Sequence, residues 1–108
     1  MINDERLERD IEIEIVQHLK KNRHIAMSVE ASLSNFGVPD IIANIYGFYV
    51  ALEVKRPKDS AYITGGQKQY INLVNGSGDY GAVVTSVEDV DALIVDIKRH
   101  RELLNSVL

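Results

Sequence analysis

Two strand-like runs meet at a dipeptide in the middle of the chain: Val38-Pro39-Asp40-Ile41-Ile42-Ala43-Asn44-Ile45, then Tyr46-Gly47, then Phe48-Tyr49-Val50-Ala51-Leu52-Glu53-Val54-Lys55. Apolar runs flanking a two-residue turn with glycine predict a β-hairpin. If Tyr46-Gly47 is the loop, Ile45 pairs with Phe48, and the register sets Ala43 opposite Val50 and Ile41 opposite Leu52. That face is wholly apolar and belongs in a core. A four-residue loop preserves the pairing, whereas a three-residue loop shifts it by one and breaks the apolar ladder.

The same register puts two carboxylates opposite each other, Asp40 and Glu53, with Lys55 two residues along the same face. Opposed residues have Cβ atoms roughly 4.5–5.5 Å apart, and like charges there destabilise the pair unless something compensates. A divalent cation does so. Hard cations such as Mg²⁺ prefer carboxylate and carbonyl oxygens and retain several waters, and they assist hydrolysis at phosphorus. An ammonium at Lys55 would neutralise a phosphate oxygen or hold an attacking water.

Around the hairpin, residues 5 to 21 carry Leu7, Ile11, Ile15 and Leu19 four apart, an amphipathic helix. His24 to Glu30 reads as a strand and Ala31 to Gly37 as a polar loop; the hairpin strands are Val38 to Ile45 and Phe48 to Lys55. After the breaker Arg56-Pro57 comes a helix from about Gly66 to Asn75, closed by Gly76-Ser77-Gly78, and then a strand from Tyr80 to Thr85. Ser86 followed by Asp89 resembles a capping box with Asp in place of Glu, and opens a last helix with Val90, Leu93, Ile94 and Ile97 on one stripe. The order is α-β-β-β-α-β-α. The strand-helix-strand unit in its second half predicts parallel strands, giving an α/β fold whose mixed sheet is flanked by helices.

Composition narrows the chemistry. At 108 residues the chain is sized for one domain, residues 1–108. No run of eighteen apolar residues occurs and the first ten residues are charged, so an intracellular protein without membrane insertion is expected. With no cysteine and three histidines at no metal-ligand spacing, a metal site must be built from oxygen ligands. The net charge of −4 argues against nucleic-acid binding through overall charge. Basic clusters at Lys20 to His24, Lys55 to Lys58, Lys68 and Lys98 to Arg101 leave local phosphate binding open, although each is also a natural solvated surface, and the last suits a helix end.

Two helix residues join the list of candidates. Glu8 falls between Ile15 and Leu19 on the helical wheel, inside the stripe that should face the protein, with Glu12 near its edge as a second candidate. Gln67 precedes Tyr70 and Ile71 by three and four positions, so it shares their inward face, with helix capping as the rival role.

Val38-Pro39-Asp40, twelve intervening residues and Glu53-Val54-Lys55 read as the PD-(D/E)XK nuclease signature. With a preceding glutamate-bearing helix, Gly37 to Ile42, Leu52 to Pro57, a downstream Gln67 and Val83 to Asp89, residues 5 to 95 resemble the VRR-NUC family, virus-type replication-repair nucleases. Thr64-Gly65-Gly66 departs from the small-Pro segment expected before the glutamine. The resemblance implies a restriction-endonuclease-like α-β-β-β-α-β core, dependence on Mg²⁺ or Mn²⁺, and endonuclease action on DNA, including nicking and branched or four-way junction substrates. It implies a homodimer working in the cytoplasm of a bacterial or phage-infected cell. By that resemblance Asp40, Glu53 and the Val54 carbonyl hold metal, Lys55 is the catalytic lysine, Gln67 the helix glutamine and Glu8 the glutamate of the first helix. A catalytically silent DNA-binding or assembly module, and a nuclease subunit requiring a partner, are the alternatives.

Overall fold

The computed structural model describes residues 6–30 and 37–107. Helix α1 (Glu8–Lys21) is followed by strands β1 (Ile25–Ser28), β2 (Ile41–Ile45) and β3 (Phe48–Val54), a 3₁₀ turn (Pro57–Asp59), helix α2 (Gly65–Gly76), strand β4 (Tyr80–Val84) and helix α3 (Val87–Ser106). The strands lie in the order β1-β2-β3-β4. The first two neighbouring pairs are antiparallel and β3–β4 is parallel, so the sheet is mixed.

The hairpin register is the one the apolar ladder demands: Ile45 opposes Phe48, Ala43 opposes Val50 and Ile41 opposes Leu52. All six are buried, with Ile11, Ile15 and Leu19 of α1 and Val90 and Ile97 of α3 in the same cluster. Thus α1 and α3 cover one face of the sheet. Tyr49, on the other face, meets Tyr70 of α2 through a 2.7 Å hydroxyl contact, so α2 covers that face over β3 and β4. Tyr46 and Gly47 both have positive φ, the conformation of a two-residue turn matched to strand twist. Arg101 of α3 clamps the turn, its Nε donating to the Tyr46 carbonyl at 2.9 Å.

Several boundaries differ from the sequence reading, each for a local reason. The pairing of β2 with β3 ends one pair short of Asp40 and Glu53, because Pro39 has no N–H to extend the ladder. Helix α1 starts at Glu8 rather than residue 5, and the expected loop at residues 31–36 lies outside the described residues. At α3 the Ser86 hydroxyl accepts from Asp89 N, but the Asp89 carboxylate reaches back one residue further, to Thr85 N at 2.7 Å and Thr85 Oγ1 at 2.8 Å. The short aspartate thus braces the strand exit instead of closing the expected box. Because α3 runs on to Ser106, the basic cluster at 98–101 is mid-helix rather than terminal. His100 stacks on Phe48 and accepts or donates to the Tyr80 hydroxyl at 2.7 Å, which makes it part of the packing.

Gly37 leads into β2 at φ +78°, and a Cβ there would stand 2.5 Å from the Gly66 carbonyl oxygen. Gly37→Ala therefore meets both a left-handed backbone and a backbone collision, and should cost about 2–3 kcal/mol of stability. Gly66→Ala, whose Cβ finds nothing nearer than 3.5 Å, should be neutral or slightly stabilising in the first helical turn. Parallel denaturant unfolding of the two variants checks this; equal losses would mean that the close approach is unimportant.

Candidate active site

Pro39 also determines what happens at the next residue. In the continued register it would face Val54, whose N–H and carbonyl would ordinarily be paired across the strands. The Asp40 carboxylate takes over the amide instead, Oδ2 accepting from Val54 N at 2.7 Å, while the Asp40 carbonyl accepts from Val29 N at 2.8 Å. Asp40 is thereby fixed from both neighbouring strands although it belongs to neither. Since proline has no donor, the Val54 carbonyl receives no backbone bond from Pro39.

Glu53 is 4 % exposed, at the end of β3 under α2. A lone buried carboxylate is costly, and here it has partners. Gln67 Nε2 donates to Glu53 Oε1 at 2.7 Å, and Lys55 Nζ stands 3.9 Å from the same oxygen with its side chain mostly buried. Gln67 serves in two roles. Its Oε1 accepts from Thr64 N at 2.9 Å and its own N–H donates to Thr64 Oγ1 at 3.1 Å, a capping box that closes the start of α2. One amide thus caps the helix and orients the carboxylate, so the two roles that sequence left as rivals are both filled.

The charge balance is strained. Burial, and next to it the Asp40 carboxylate, push Glu53 up from its ordinary range to about 8, with Lys55 pulling the other way and Glu8 adding slightly. The Asp40 carboxylate thus adds to burial in disfavouring the charged form of Glu53.

Glu8 is not inward: it is exposed in the first turn of α1, ahead of Ile11, where cover begins. Periodicity gives the direction of a side chain but not where the neighbouring sheet stops. One turn later, half-buried Glu12 is raised above the ordinary carboxylate range, chiefly by burial, while the Ser28 hydroxyl favours its ionised form. It lines a cleft of ≈ 320 Å³ with Arg9, Ser28, Glu30 and Asp40. Of the two helix glutamates, Glu12 borders Asp40 and Glu8 is the one whose charge reaches Glu53. Sequence reasoning passed over Ser28, yet a β1–β2 register pairing it with Ile41, beside Asp40, would have found it.

Among the described residues no group of three or more His, Asp or Glu side chains converges as a ready-made metal cage. The donor set at the end of β3 is two neighbouring carboxylates, Asp40 and Glu53, with the Val54 carbonyl next to Glu53 in the chain. Few protein oxygens and open positions for water fit Mg²⁺ or Mn²⁺ better than an ion that needs full protein encapsulation. Compared with known proteins, the chain matches no family model, and no curated protein matches it in sequence.

Proposed function

We propose that this protein is a metal-dependent nuclease that hydrolyses phosphodiester bonds in DNA, with Asp40, Glu53 and Lys55 at its centre. The observation that carries the reading is a buried glutamate whose acidity is disturbed by a second carboxylate, beside a mostly buried lysine at the open end of a strand. Structural ion pairs are normally matched in charge, whereas an excess of buried negative charge suits a site prepared for a cation. The resemblance to VRR-NUC nucleases supports the same assignment.

Asp40, Glu53 and the Val54 carbonyl would hold Mg²⁺ or Mn²⁺, which when bound would supply Lewis-acid polarisation of a phosphoryl oxygen and make water more acidic. The remaining work falls to the chain itself. Lys55 offers a positive charge to the phosphate or to the attacking water, and Gln67 keeps the Glu53 carboxylate turned toward the site. Lys58 and Lys68, both exposed near the ends of the loop joining β3 to α2, offer backbone phosphate contacts despite the acidic total.

The test is cleavage of labelled linear duplex, nicked circle, flap and four-way junction DNA with Mg²⁺, Mn²⁺ or EDTA. Wild type should cut in either metal and not in EDTA, Glu53→Gln should not cut, and the relative rates give the preferred DNA form. Metal-independent DNA binding without cutting would instead identify a silent binding module.

A further inference from the structure

Four of the five tyrosines are engaged within the fold. Tyr49 and Tyr70 share their 2.7 Å hydroxyl contact, Tyr80 meets His100, and the Tyr46 ring packs edge-on against His24 at 5.3 Å between centroids. Tyr62 takes part in none of these pairings and is 75 % exposed. Exposure alone decides nothing, since single apolar side chains are common on protein surfaces. Its setting is what matters.

The loop that carries Tyr62 joins β3 to α2, so both of its ends lie at the Glu53 carboxylate. Lys55 Nζ stands 3.9 Å from Glu53 Oε1 on the entering side, and Gln67 Nε2 donates to the same oxygen at 2.7 Å on the leaving side. Thr64, two residues after Tyr62, donates its N–H to the other end of that glutamine amide at 2.9 Å. Two residues of chain span at most about 7 Å, which tethers Tyr62 at the rim of the carboxylate site. The backbone beneath the ring is also held: Asp59 N and Tyr62 N donate to the Arg56 and Asp59 carbonyls, each at 2.9 Å, across the Pro57–Asp59 turn. A ring with two rotatable bonds on a fixed backbone loses little conformational freedom when it is covered.

The surroundings are cationic. Residues 56–68 contain Arg56, Lys58 and Lys68 but a single acid, Asp59, which the Arg56 guanidinium neutralises through a 3.0 Å bond. Lys58 and Lys68 are exposed and, among the described residues, have no acidic partner. An apolar protein surface laid over Tyr62 would strip water from both ammonium groups. A nucleic-acid strand instead brings phosphates for the lysines and a flat base for the ring.

We infer that Tyr62 is a specificity-determining residue, stacking on an unpaired base of the DNA next to the scissile phosphate, so that the site prefers DNA with unpaired bases at the cut over continuous duplex. The cut rests on the nuclease reading proposed above; the stack itself does not require it. In a duplex both faces of each base are covered by its neighbours, and freeing one costs unstacking energy. An unpaired base has a face to spare. Stacking tolerates any base, so the preference is for DNA form and not for sequence.

The test is binding of a fluorescein-labelled single strand and a blunt duplex of equal length, followed by anisotropy in EDTA at one low salt concentration, with wild type, Tyr62→Phe and Tyr62→Ala. The position is exposed, so all three should fold alike by circular dichroism. Wild type should bind the single strand more tightly than the duplex. Tyr62→Ala should weaken single-strand binding about tenfold, the scale of one lost base–aromatic stack, and leave duplex binding within about twofold. Tyr62→Phe, which keeps the ring and loses the hydroxyl, should bind like wild type. Unchanged affinity in Tyr62→Ala, an equal loss on both DNAs, a phenylalanine variant as weak as the alanine one, or a wild type that binds neither DNA would overturn the proposal. Cleavage of a flap and a continuous duplex by the same proteins in Mg²⁺ separates it from the nuclease reading. Wild type that stacks through Tyr62 but cuts neither DNA defeats the nuclease reading while the stack stands; a Tyr62→Ala protein that cuts with undiminished preference for the flap defeats the specificity role alone.

Discussion

Replacing Asp40 by Asn should reduce metal-dependent DNA cleavage about a thousandfold, equivalent to about 4 kcal/mol of barrier, while leaving the fold intact. The separation of the two effects follows from the geometry. The side-chain oxygen that accepts the 2.7 Å bond from Val54 N has a counterpart in asparagine, so the brace between the hairpin ends survives. What disappears is one negative charge beside Glu53. Asp40→Ala removes the brace as well and should lose about 1–2 kcal/mol of stability in addition. Steady-state cleavage and thermal melting of both variants, measured together, decide the matter. Retention of more than about a tenth of wild-type activity by Asp40→Asn would remove Asp40 from the site.

The second large effect is a pH dependence of stability in metal-free protein. Glu53 is raised from 4.5 to about 8, first by burial and then by Asp40, against the opposing charge of Lys55. The folded chain therefore holds this proton more tightly than the unfolded chain does. The resulting stabilisation is complete below pH 4.5 and is lost as pH rises through about 8. At pH 8 and above, ionised Glu53 opposes the fold by an amount on the order of a few kcal/mol. Glu53→Gln, which can still accept from Gln67, should thus melt roughly 10 °C above wild type at alkaline pH in EDTA and show a flatter profile between those limits. Glu12, raised in the same direction, is present in both proteins and cancels in the comparison. Mg²⁺ should raise the wild-type melting temperature at pH 8 and leave that of Glu53→Gln unchanged. A glutamine variant less stable than wild type at pH 8 would show that Glu53 is held by compensating partners rather than strained.

The sequence resolved the hairpin well because a period of two leaves few registers that bury Ile41, Ala43 and Ile45 against Leu52, Val50 and Phe48. Asp40, Glu53 and Lys55 followed from that register. Helix α1 was less legible: its stripe identified Ile11, Ile15 and Leu19 but could not show that cover starts only at Ile11, so Glu8 was placed inside and Glu12 at the margin. Gln67 illustrates a different gap. Capping and contact with Glu53 looked like alternatives because a propensity rule treats each end of an amide as serving one purpose, whereas its oxygen and nitrogen face different neighbours here. The exposure of Ile25 and Met27 on β1 was invisible for another reason. Burial patterns along a strand tell which residues face a core, and they carry no record of how far across the sheet a helix reaches.

Pro39 shows how much can depend on one absent hydrogen. Any other residue there would bring an amide opposite Val54, letting the hairpin zip one rung further and engage the very carbonyl that now stands free of it. The Asp40 side chain would then compete with its own neighbour for the Val54 amide. The opening at the tip of β3 is in this sense an unfinished hairpin, held at that stage by an imino acid, and a change carrying no charge and touching no acidic group would be enough to close it.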